Sequence, residues 1–274
     1  MFCWRRRRRS CWLSKAWRFQ KSLMKFAFLK KSGDTAGQVD FDRLPRHIAI
    51  ILDGNGRWAK KRGLPRTAGH KVGAETFRTI ATYCRDIGID YLTVYAFSTE
   101  NWKRPKEEVD TIMSLLKAYL LEAIDTMERD NVRLHFMGDM SVLSDELRAL
   151  VDRANAISAK LSGCQCNICI NYGGRAEIVH AARQFAADCV NGQTKAEELT
   201  EELFENYLYS AGAPSPELMI RPGGEQRLSN FLLWQCAYSE FYYTDVLWPD
   251  FSKEELHKAI IAFQKRNRRF GGLS

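Results

Sequence analysis

The sequence predicts an α/β fold, in which a mostly parallel central sheet of about six strands is flanked by helices. Short apolar segments typical of buried strands alternate along the chain with segments of helical periodicity. Such alternation favours parallel strands that are covered on both faces. No repeat, linker or change in composition divides residues 40–274. We therefore expect a single domain there, preceded by a basic extension over residues 1–39.

The predicted elements follow one another in a regular order. Six apolar runs predict strands at residues 47–52, 90–96, 131–137, 164–170, 217–221 and 240–243. A long helix is predicted over residues 105–129, because eight apolar side chains share one face. These eight are Val109, Ile112, Met113, Leu116, Leu120, Ala123, Ile124 and Met127. A last helix over 252–269 opens with Ser252 and Glu255, the residue pair of a capping box.

The net charge of +8 comes from the beginning of the chain. Residues 1–31 contain eleven Lys and Arg and no acid, and the rest contains 30 basic and 33 acidic residues, a net of −3. The charge of the domain therefore does not indicate nucleic-acid binding. For the extension three interpretations remain: a basic segment on an anionic membrane surface, a disordered segment, or translation that starts at Met24. No run of about 18 apolar residues predicts a membrane-spanning helix.

The eight cysteines are expected to be reduced thiols, because the chain is long and no secretory signal is recognisable. Three of them cluster, Cys164, Cys166 and Cys169, but a zinc site would need a fourth ligand at suitable spacing. On a strand, Cys164 and Cys166 share one face with Ile168 and Ile170. We therefore interpret the cluster as part of a buried strand.

Four loops follow predicted strands at the edge where ligands bind in parallel sheets. They comprise residues 53–57, 98–104, 171–175 and 221–230, and three of them combine Gly with Arg. Glycine lets backbone amides approach a ligand, and the forked guanidinium suits phosphate oxygens. The loops together indicate a phosphate-containing ligand.

A dinucleotide is one candidate ligand, because Gly54, Gly56 and Ala59 fit G-x-G-x-x-A after a strand, with Glu75 about 20 residues later. However, Glu75 falls inside a helix, whereas the ribose-binding acid should end the second strand. Asp53 would also repel a pyrophosphate unless a cation stood between them.

A magnesium-bound diphosphate fits the same loop better. Mg²⁺ commonly joins a carboxylate to phosphate oxygens, which gives Asp53 a role. The cations Arg57, Arg66 and His70 would complete the cradle.

Several long sequence blocks resemble the cis-prenyltransferases, in particular the bacterial undecaprenyl diphosphate synthases. The blocks are HIAIILDGNGRWAKKRGLPRTAGHKVGAE, YAFSTENWKRP, NYGGR, RPGGEQRLSNFLLWQCAYSEFYYTDVLWPDF and RRFGG, in order over residues 43–272. The resemblance implies a Mg²⁺-dependent enzyme that condenses isopentenyl diphosphate onto an allylic diphosphate, usually farnesyl diphosphate, with cis geometry. It implies a homodimer, a hydrophobic tunnel in the fold, and a long-chain product such as undecaprenyl diphosphate, the lipid-carrier precursor for cell-wall synthesis. It also implies a cytoplasmic protein with peripheral contact at the inner face of the membrane.

The resemblance also assigns roles to individual residues. Asp53 matches the catalytic, magnesium-binding aspartate, and Glu240 matches a second metal ligand shared across the dimer. The residues that match the allylic diphosphate site are Gly54, Asn55, Gly56, Arg57, Trp58, Arg66 and His70. Further substrate contacts match Ser98, Thr99, Glu100, Trp102 and Arg104. The isopentenyl diphosphate site matches Arg221, Arg227, Leu228 and Ser229, and Arg269 with Gly271 matches a motif that reaches the partner's site.

Asn101 matches the residue described in the family as the proton acceptor. An amide is a poor base, so we expect Asn101 to position the homoallylic substrate while a diphosphate oxygen or water takes the proton. The apolar face of helix 105–129 and strand 164–170 are candidate tunnel walls, and plain core packing is the alternative for each. If the strand lines the tunnel, the small Cys164 and Cys166 would leave room for a long chain.

Two other functional classes are alternatives to a prenyltransferase. A non-catalytic partner subunit of the same fold should lack the DGN loop and Asn101, and both are present. A nicotinamide-binding oxidoreductase would keep the glycines but would not need the arginine pair Arg221 and Arg227.

Overall fold

The structure, a computed structural model, describes residues 38–266, which fold as one compact unit that begins at Val39. Its strands are β1 (His47–Ile51), β2 (Tyr91–Ser98), β3 (Arg133–Met137), β4 (Gln165–Tyr172), β5 (Leu218–Pro222) and β6 (Glu240–Thr244). Its helices are α1 (Asn55–Lys61), α2 (Arg66–Ile87), α3 (Lys106–Asp130), α4 (Asp145–Ser158), α5 (Gly174–Val190), α6 (Glu201–Glu205) and α7 (Lys253–Gln264). All six predicted strands are confirmed, and each boundary agrees within two residues.

The six strands form one sheet in the order β3-β4-β2-β1-β5-β6, and every neighbouring pair is parallel. The prediction of a mostly parallel sheet is confirmed, and within the described residues the sheet is entirely parallel. The four central strands, β4, β2, β1 and β5, are those followed by the four loops singled out in the sequence. Because parallel strands end at the same edge, this strand order brings all four loops together.

The two faces of the sheet form two apolar layers. On one face, Ile50 of β1 and Val94 of β2 pack with side chains of α2, α3, α4 and α7. On the other face, Ala49 and Tyr95 pack against the segment that contains Phe231. Parallel strands buried on both faces have nearly continuous apolar sequences, as in HIAII of β1, where all five residues are buried.

The last helix is shorter than the prediction of 252–269. Ser252 Oγ caps α7 by accepting from Glu255 N at 3.4 Å, but the helix ends at Gln264. Phe263 is the last residue of its apolar face, and the basic run that follows offers nothing to bury, which explains the earlier end. The Gln264 side chain is fixed instead to the segment before β1, donating to Arg43 O at 3.0 Å. Residues 267–269 lie outside the described part of the chain.

Two of the three clustered cysteines, Cys166 and Cys169, lie in strand β4. Cys166 lies with Ile168 and Ile170 in the first apolar layer, whereas Cys169 faces the second. The six cysteines within residues 38–266 are all unpaired. In the same range, no group of three or more His, Cys, Asp or Glu could hold a metal ion. No helix of the described chain has the length and apolarity that are needed to cross a membrane.

Candidate active site

A cavity of about 690 Å³ begins at the carboxyl ends of the central strands and extends between the sheet, α2 and α3. The predicted site residues that line it are Asp53, Gly54, Asn55, Gly56, Arg57, Arg66, His70, Ser98, Glu100, Asn101, Arg104, Arg221 and Ser229. The predicted residues that do not line it are Trp58, Thr99, Trp102, Arg227, Leu228 and Glu240. Arg269 and Gly271 lie outside the described residues. Three of the four predicted loops thus contribute predicted residues to one cavity.

The inner end of the cavity is apolar. It is lined by Phe77, Val94, Ile112, Leu115, Leu116, Tyr119 and Ile168. Helix α3 and strand β4 therefore both contribute walls to this cavity. From β4, however, the lining residue is Ile168, and Cys164 and Cys166 do not line this cavity.

Asp53, two residues beyond β1, is held by two arginines. Its Oδ2 accepts from Arg221 Nη2 at 3.0 Å, and its Oδ1 lies 3.1 Å from Arg57 Nη2. The Asp53 side chain remains 28% exposed, so one side of the carboxylate faces the cavity. Arg57 also donates to Gly223 O, which ties the loop after β1 to the loop after β5.

Two glycines allow this arrangement. Gly54 has a φ of 112°, a left-handed conformation, and a Cβ there would come within 3.1 Å of Leu247 Cα. A Cβ at Gly56 would come within 2.9 Å of Arg66 Cζ. The missing side chain at Gly56 therefore leaves the space in which the Arg66 guanidinium approaches the loop.

Arg221 is the central cation of the site. Its side chain is 4% exposed, and it donates to Ser229 Oγ at 2.8 Å and to Arg227 O in addition to Asp53. Its Nε is buried and has no partner among the described residues. Arg227 points elsewhere, since its side chain is 67% exposed and forms an ion pair with Glu225. The predicted clamp of two arginines and a hydroxyl therefore consists of Arg221 and Ser229 in this structure.

The loop after β2 presents Asn101 and Glu100 to the cavity. Asn101 Oδ1 accepts from Ser98 N at 3.2 Å, which fixes its amide oxygen on the protein. Glu100 accepts from Asn230 Nδ2 at 3.0 Å. Trp102 belongs to the same loop and donates to Asn171 Oδ1 at 2.8 Å.

A carboxylate that was not among the predicted site residues is contacted by three side chains that were, Arg66, His70 and Arg104. Glu108 accepts from His70 Nε2 and from Arg104 Nη1, each at 3.0 Å, and lies 3.0 Å from Arg66 Nε. Burial lowers the pKa of His70, and the nearby guanidinium charges lower it further, while the bond to Glu108 acts in the opposite direction. Because they share Glu108 as a partner, Arg66, His70 and Arg104 lie together at one side of the cavity mouth.

Two predicted residues are held away from this centre. Trp58 donates to Asp250 Oδ1 at 2.7 Å, and the guanidinium of Arg62 lies 4.1 Å from the centre of the Trp58 ring. Glu240 begins β6 and is paired in register with Leu218 at the beginning of β5. It therefore lies at the opposite edge of the sheet from Asp53, and its carboxylate binds Arg266.

Two polar residues that line or support the site, Glu108 and Asn230, were not among the site residues predicted from the sequence. Asn230 joins three loops, since it also accepts from Arg175 N at 2.9 Å and from Gly174 N at 2.7 Å. No local pattern indicates such a residue. Glu108 does have a signal, because it precedes Ile112 by four residues and therefore lies on the apolar face of α3.

Asp53 is the carboxylate that could contribute to a metal site at the cavity mouth. Mg²⁺ is commonly bound by one or two carboxylates together with phosphate oxygens and water, so a single aspartate beside anion-binding arginines suits it. The buried, unpartnered Nε of Arg221 is a donor that an anion could satisfy. The geometry thus combines a cationic mouth with an apolar interior in one cavity.

Comparison with known proteins agrees with this geometry. Residues 51–271 match the family described as "Putative undecaprenyl diphosphate synthase". An isoprenyl transferase from Clostridium tetani is 52% identical over 86% of this chain and 92% of its own length. Another from Listeria innocua is 51% identical over 84% of this chain and 91% of its own length.

Two solved structures have the same fold. Lavandulyl diphosphate synthase from Lavandula x intermedia, in complex with dimethylallyl diphosphate, has a TM-score of 0.80 and 37% identity, and the match covers 84% of this chain and 99% of that chain. A "probable undecaprenyl diphosphate synthase" from Campylobacter jejuni has a TM-score of 0.69 and 36% identity, with the same coverage. On this evidence the chain belongs to the undecaprenyl diphosphate synthase family of prenyltransferases.

Proposed function

We propose that the chain condenses isopentenyl diphosphate onto an allylic diphosphate, with farnesyl diphosphate as primer, and makes a long-chain polyprenyl diphosphate such as undecaprenyl diphosphate. One observation carries this proposal: the cationic mouth and the apolar interior belong to the same cavity. An isoprenoid diphosphate has a charged head, which suits the cationic mouth, and a hydrocarbon tail, which suits the apolar interior. The dimethylallyl diphosphate bound in the plant relative belongs to the same class of ligand.

The residues of the mouth divide into two binding regions. The loop amides from Gly54 to Arg57, with Arg66 and His70, would hold the allylic diphosphate. Arg221 and Ser229 would hold the diphosphate of the second substrate, and Arg227 would join them by rotating away from Glu225. Both regions meet at Asp53, which contacts one arginine of each.

Magnesium dependence is general in this family, and here Asp53 would hold the ion. When bound, Mg²⁺ would supply positive charge to the leaving diphosphate. Arg57 and Arg221 keep the Asp53 carboxylate oriented toward the cavity before any ion binds. Glu240 would contribute to such a site only from a second subunit, because in its own chain it lies at the other edge of the sheet.

Asn101 is suited to positioning rather than to proton transfer. Its amide oxygen is engaged by Ser98 N, so the NH₂ group is the part that can contact a substrate. An amide donor at the cavity wall would orient the isopentenyl substrate, and a diphosphate oxygen or water would take the proton.

A homodimer is part of the proposal. The edge strand β6 carries Phe241, Tyr242 and Tyr243, all half-buried, and the neighbouring Tyr238 is 75% exposed. Aromatic residues along an edge strand are typical of an interface with another subunit. A second copy would cover them and could bring its Glu240 toward the first site.

The protein is proposed to act in the cytoplasm, in peripheral contact with the inner face of the membrane that receives the product. A long polyprenyl chain is apolar, so delivery to a bilayer avoids its exposure to water. A version that starts at Met24, compared with the full chain on anionic vesicles, tests whether the basic extension provides this contact.

The central test is incubation with labelled isopentenyl diphosphate, farnesyl diphosphate and Mg²⁺, followed by sizing of the dephosphorylated product on thin-layer plates. A ladder that ends in a long polyprenol is the expected result. Unextended farnesol as the only product would contradict the proposal. Titration with NADH in the same buffer should show no binding, whereas the oxidoreductase alternative requires it.

A further inference from the structure

Glu108 is a buried acid at the mouth of the cavity. It lies in the first turn of α3, and its side chain is 5% exposed, whereas its neighbour Glu107 is exposed. Ionised carboxylates are rarely buried unless they are paired. The position of Glu108 therefore requires an explanation from its partners.

Two guanidinium groups and one imidazole provide that explanation. The Oε1 atom of Glu108 accepts from His70, from Arg104 and, at 3.4 Å, from Arg66 Nη2, while Oε2 faces Arg66 Nε at 3.0 Å. Burial alone would raise the pKa of Glu108, but the bond from His70 and the charges of Arg104 and Arg66 outweigh burial, so the pKa is lowered. Glu108 is thus held as a carboxylate by Arg66 and His70, which the proposed function assigns to the allylic diphosphate, and by Arg104, a substrate contact that the sequence resemblance implies.

The three partners of Glu108 come from two different parts of the chain. Arg66 and His70 lie in the first turns of α2, whereas Arg104 ends the loop that follows β2. The charges of the two guanidinium groups repel each other, and the Arg66 side chain is 62% exposed and would otherwise have many rotamers. A shared carboxylate offsets the repulsion and fixes all three side chains in one arrangement.

The contacts with Glu108 leave donors for a ligand. Each guanidinium has five N–H groups, and Arg104 uses one nitrogen on Glu108 while Arg66 uses two. All three side chains line the cavity, although Glu108 does not. The carboxylate therefore contacts Arg66, His70 and Arg104 from outside the cavity lining, and part of each of these side chains remains exposed to the cavity.

We propose that Glu108 is a positioning residue that holds Arg66, His70 and Arg104 as one preorganised cradle for the diphosphate of the allylic substrate. This inference rests on the proposed function and deepens it. Preorganised side chains lose less conformational entropy when the ligand binds, so Glu108 raises affinity without touching the substrate. Its effect is specific to the allylic diphosphate, because Arg221 and Ser229 at the other binding region do not contact it.

Steady-state kinetics of Glu108→Gln and Glu108→Ala test the proposal. Both should raise KM for farnesyl diphosphate, by about tenfold or more in the alanine variant, as expected for misplaced charge-assisted contacts. KM for isopentenyl diphosphate should stay within about twofold, a split that general destabilisation would not produce. Glu107→Gln is the matched control, since it removes an exposed acid from the same helical turn, and its constants should equal those of the wild type.

Calorimetric titration with inorganic diphosphate gives a readout that does not depend on turnover. Weaker binding to the Glu108 variants supports positioning, whereas equal or tighter binding overturns it and identifies Glu108 as a competitor for the cations. If wild-type protein binds diphosphate but does not extend farnesyl diphosphate, the proposed function fails and the titration still decides the role of Glu108. Should the Gln and Ala variants fail to fold, Glu108→Asp retains the charge on a shorter side chain, and an unchanged affinity there would also overturn the proposal.

Discussion

Arg221 Nη2 donates to Asp53 Oδ2 at 3.0 Å, so the end of β5 is joined to the segment after β1 by an ion pair whose guanidinium is buried. The two strands are neighbours and are paired in parallel, for example Ile50 with Ile220, which brings their carboxyl ends to the same height. A buried guanidinium needs such a partner, and the partner remains partly open to the cavity. The pair therefore positions the carboxylate at the point where the two proposed diphosphate sites meet.

Replacement of Asp53 by Asn should abolish most turnover while the fold is retained. The amide keeps an oxygen for Arg221 but cannot bind Mg²⁺ as a carboxylate does. We expect kcat to fall by about 10²–10³-fold, the range for loss of one preorganised electrostatic contact in a transition state. The free energy of unfolding should fall by only about 1–2 kcal/mol, because Arg221 retains Ser229 and Arg227 O. Incorporation of labelled isopentenyl diphosphate and urea unfolding measure the two quantities, and full activity would contradict the magnesium role.

Arg221→Lys should weaken binding of isopentenyl diphosphate. A single ammonium cannot reproduce the separate contacts that Arg221 makes with Asp53 and Ser229. We expect KM for isopentenyl diphosphate to rise by about tenfold, with a smaller change in KM for farnesyl diphosphate. Arg183→Lys, an exposed substitution on α5, is the control. Equal KM values for Arg221→Lys and the control would show that Arg221 has only a structural role.

The convergence of Asp53, Arg221 and Asn101 could be predicted from the sequence because it depends on one rule. Asp53 and Asn101 follow strands, Arg221 lies at the carboxyl end of β5, and parallel strands end at one edge of a sheet. The strand segments themselves were recognisable because strands buried on both faces have continuous apolar sequences.

The role of Asn230 could not be predicted in this way. Its bond to Glu100 joins residues 130 positions apart, and Asn230 itself has a left-handed backbone conformation, with a φ of 64°. The same limit applies to Trp58, whose partner Asp250 is 192 positions away. Contacts of this kind depend on how distant loops pack against one another. Neither sequence periodicity nor residue type predicts that packing.

Leu116→Trp should shorten the product. Leu116 lies on the face of α3 that lines the apolar end of the cavity, and a larger side chain there reduces the space for the growing chain. Leu121→Trp is the matched control, because Leu121 belongs to the same helix but is 44% exposed. Thin-layer sizing of the dephosphorylated products is the measurement, and we expect the ladder of the Leu116 variant to end at least one isoprene unit earlier. Identical ladders for both variants would show that this cavity does not hold the chain.

His47 should make the fold less stable in mild acid. Burial lowers the pKa of His47 to about 4, although its bond to Pro214 O opposes the shift. The ring is enclosed between Pro214 O and Thr93 Oγ1, with Thr93 in turn bound by Asn167, so an added proton on Nε2 would need to displace a hydroxyl partner.

The direction of the pH effect follows from proton counts. Between pH 6.5 and about 4 the unfolded chain protonates at His47 while the folded chain does not, so the free energy of unfolding falls as the pH falls. The loss from this group should reach about 3 kcal/mol near pH 4 and should not grow below it. Urea unfolding between pH 7 and pH 4 should therefore show a steeper loss for the wild type than for His47→Asn, whose amide can replace the contact with Pro214 but does not titrate. Parallel curves for the two proteins would contradict the assignment of this acid sensitivity to His47.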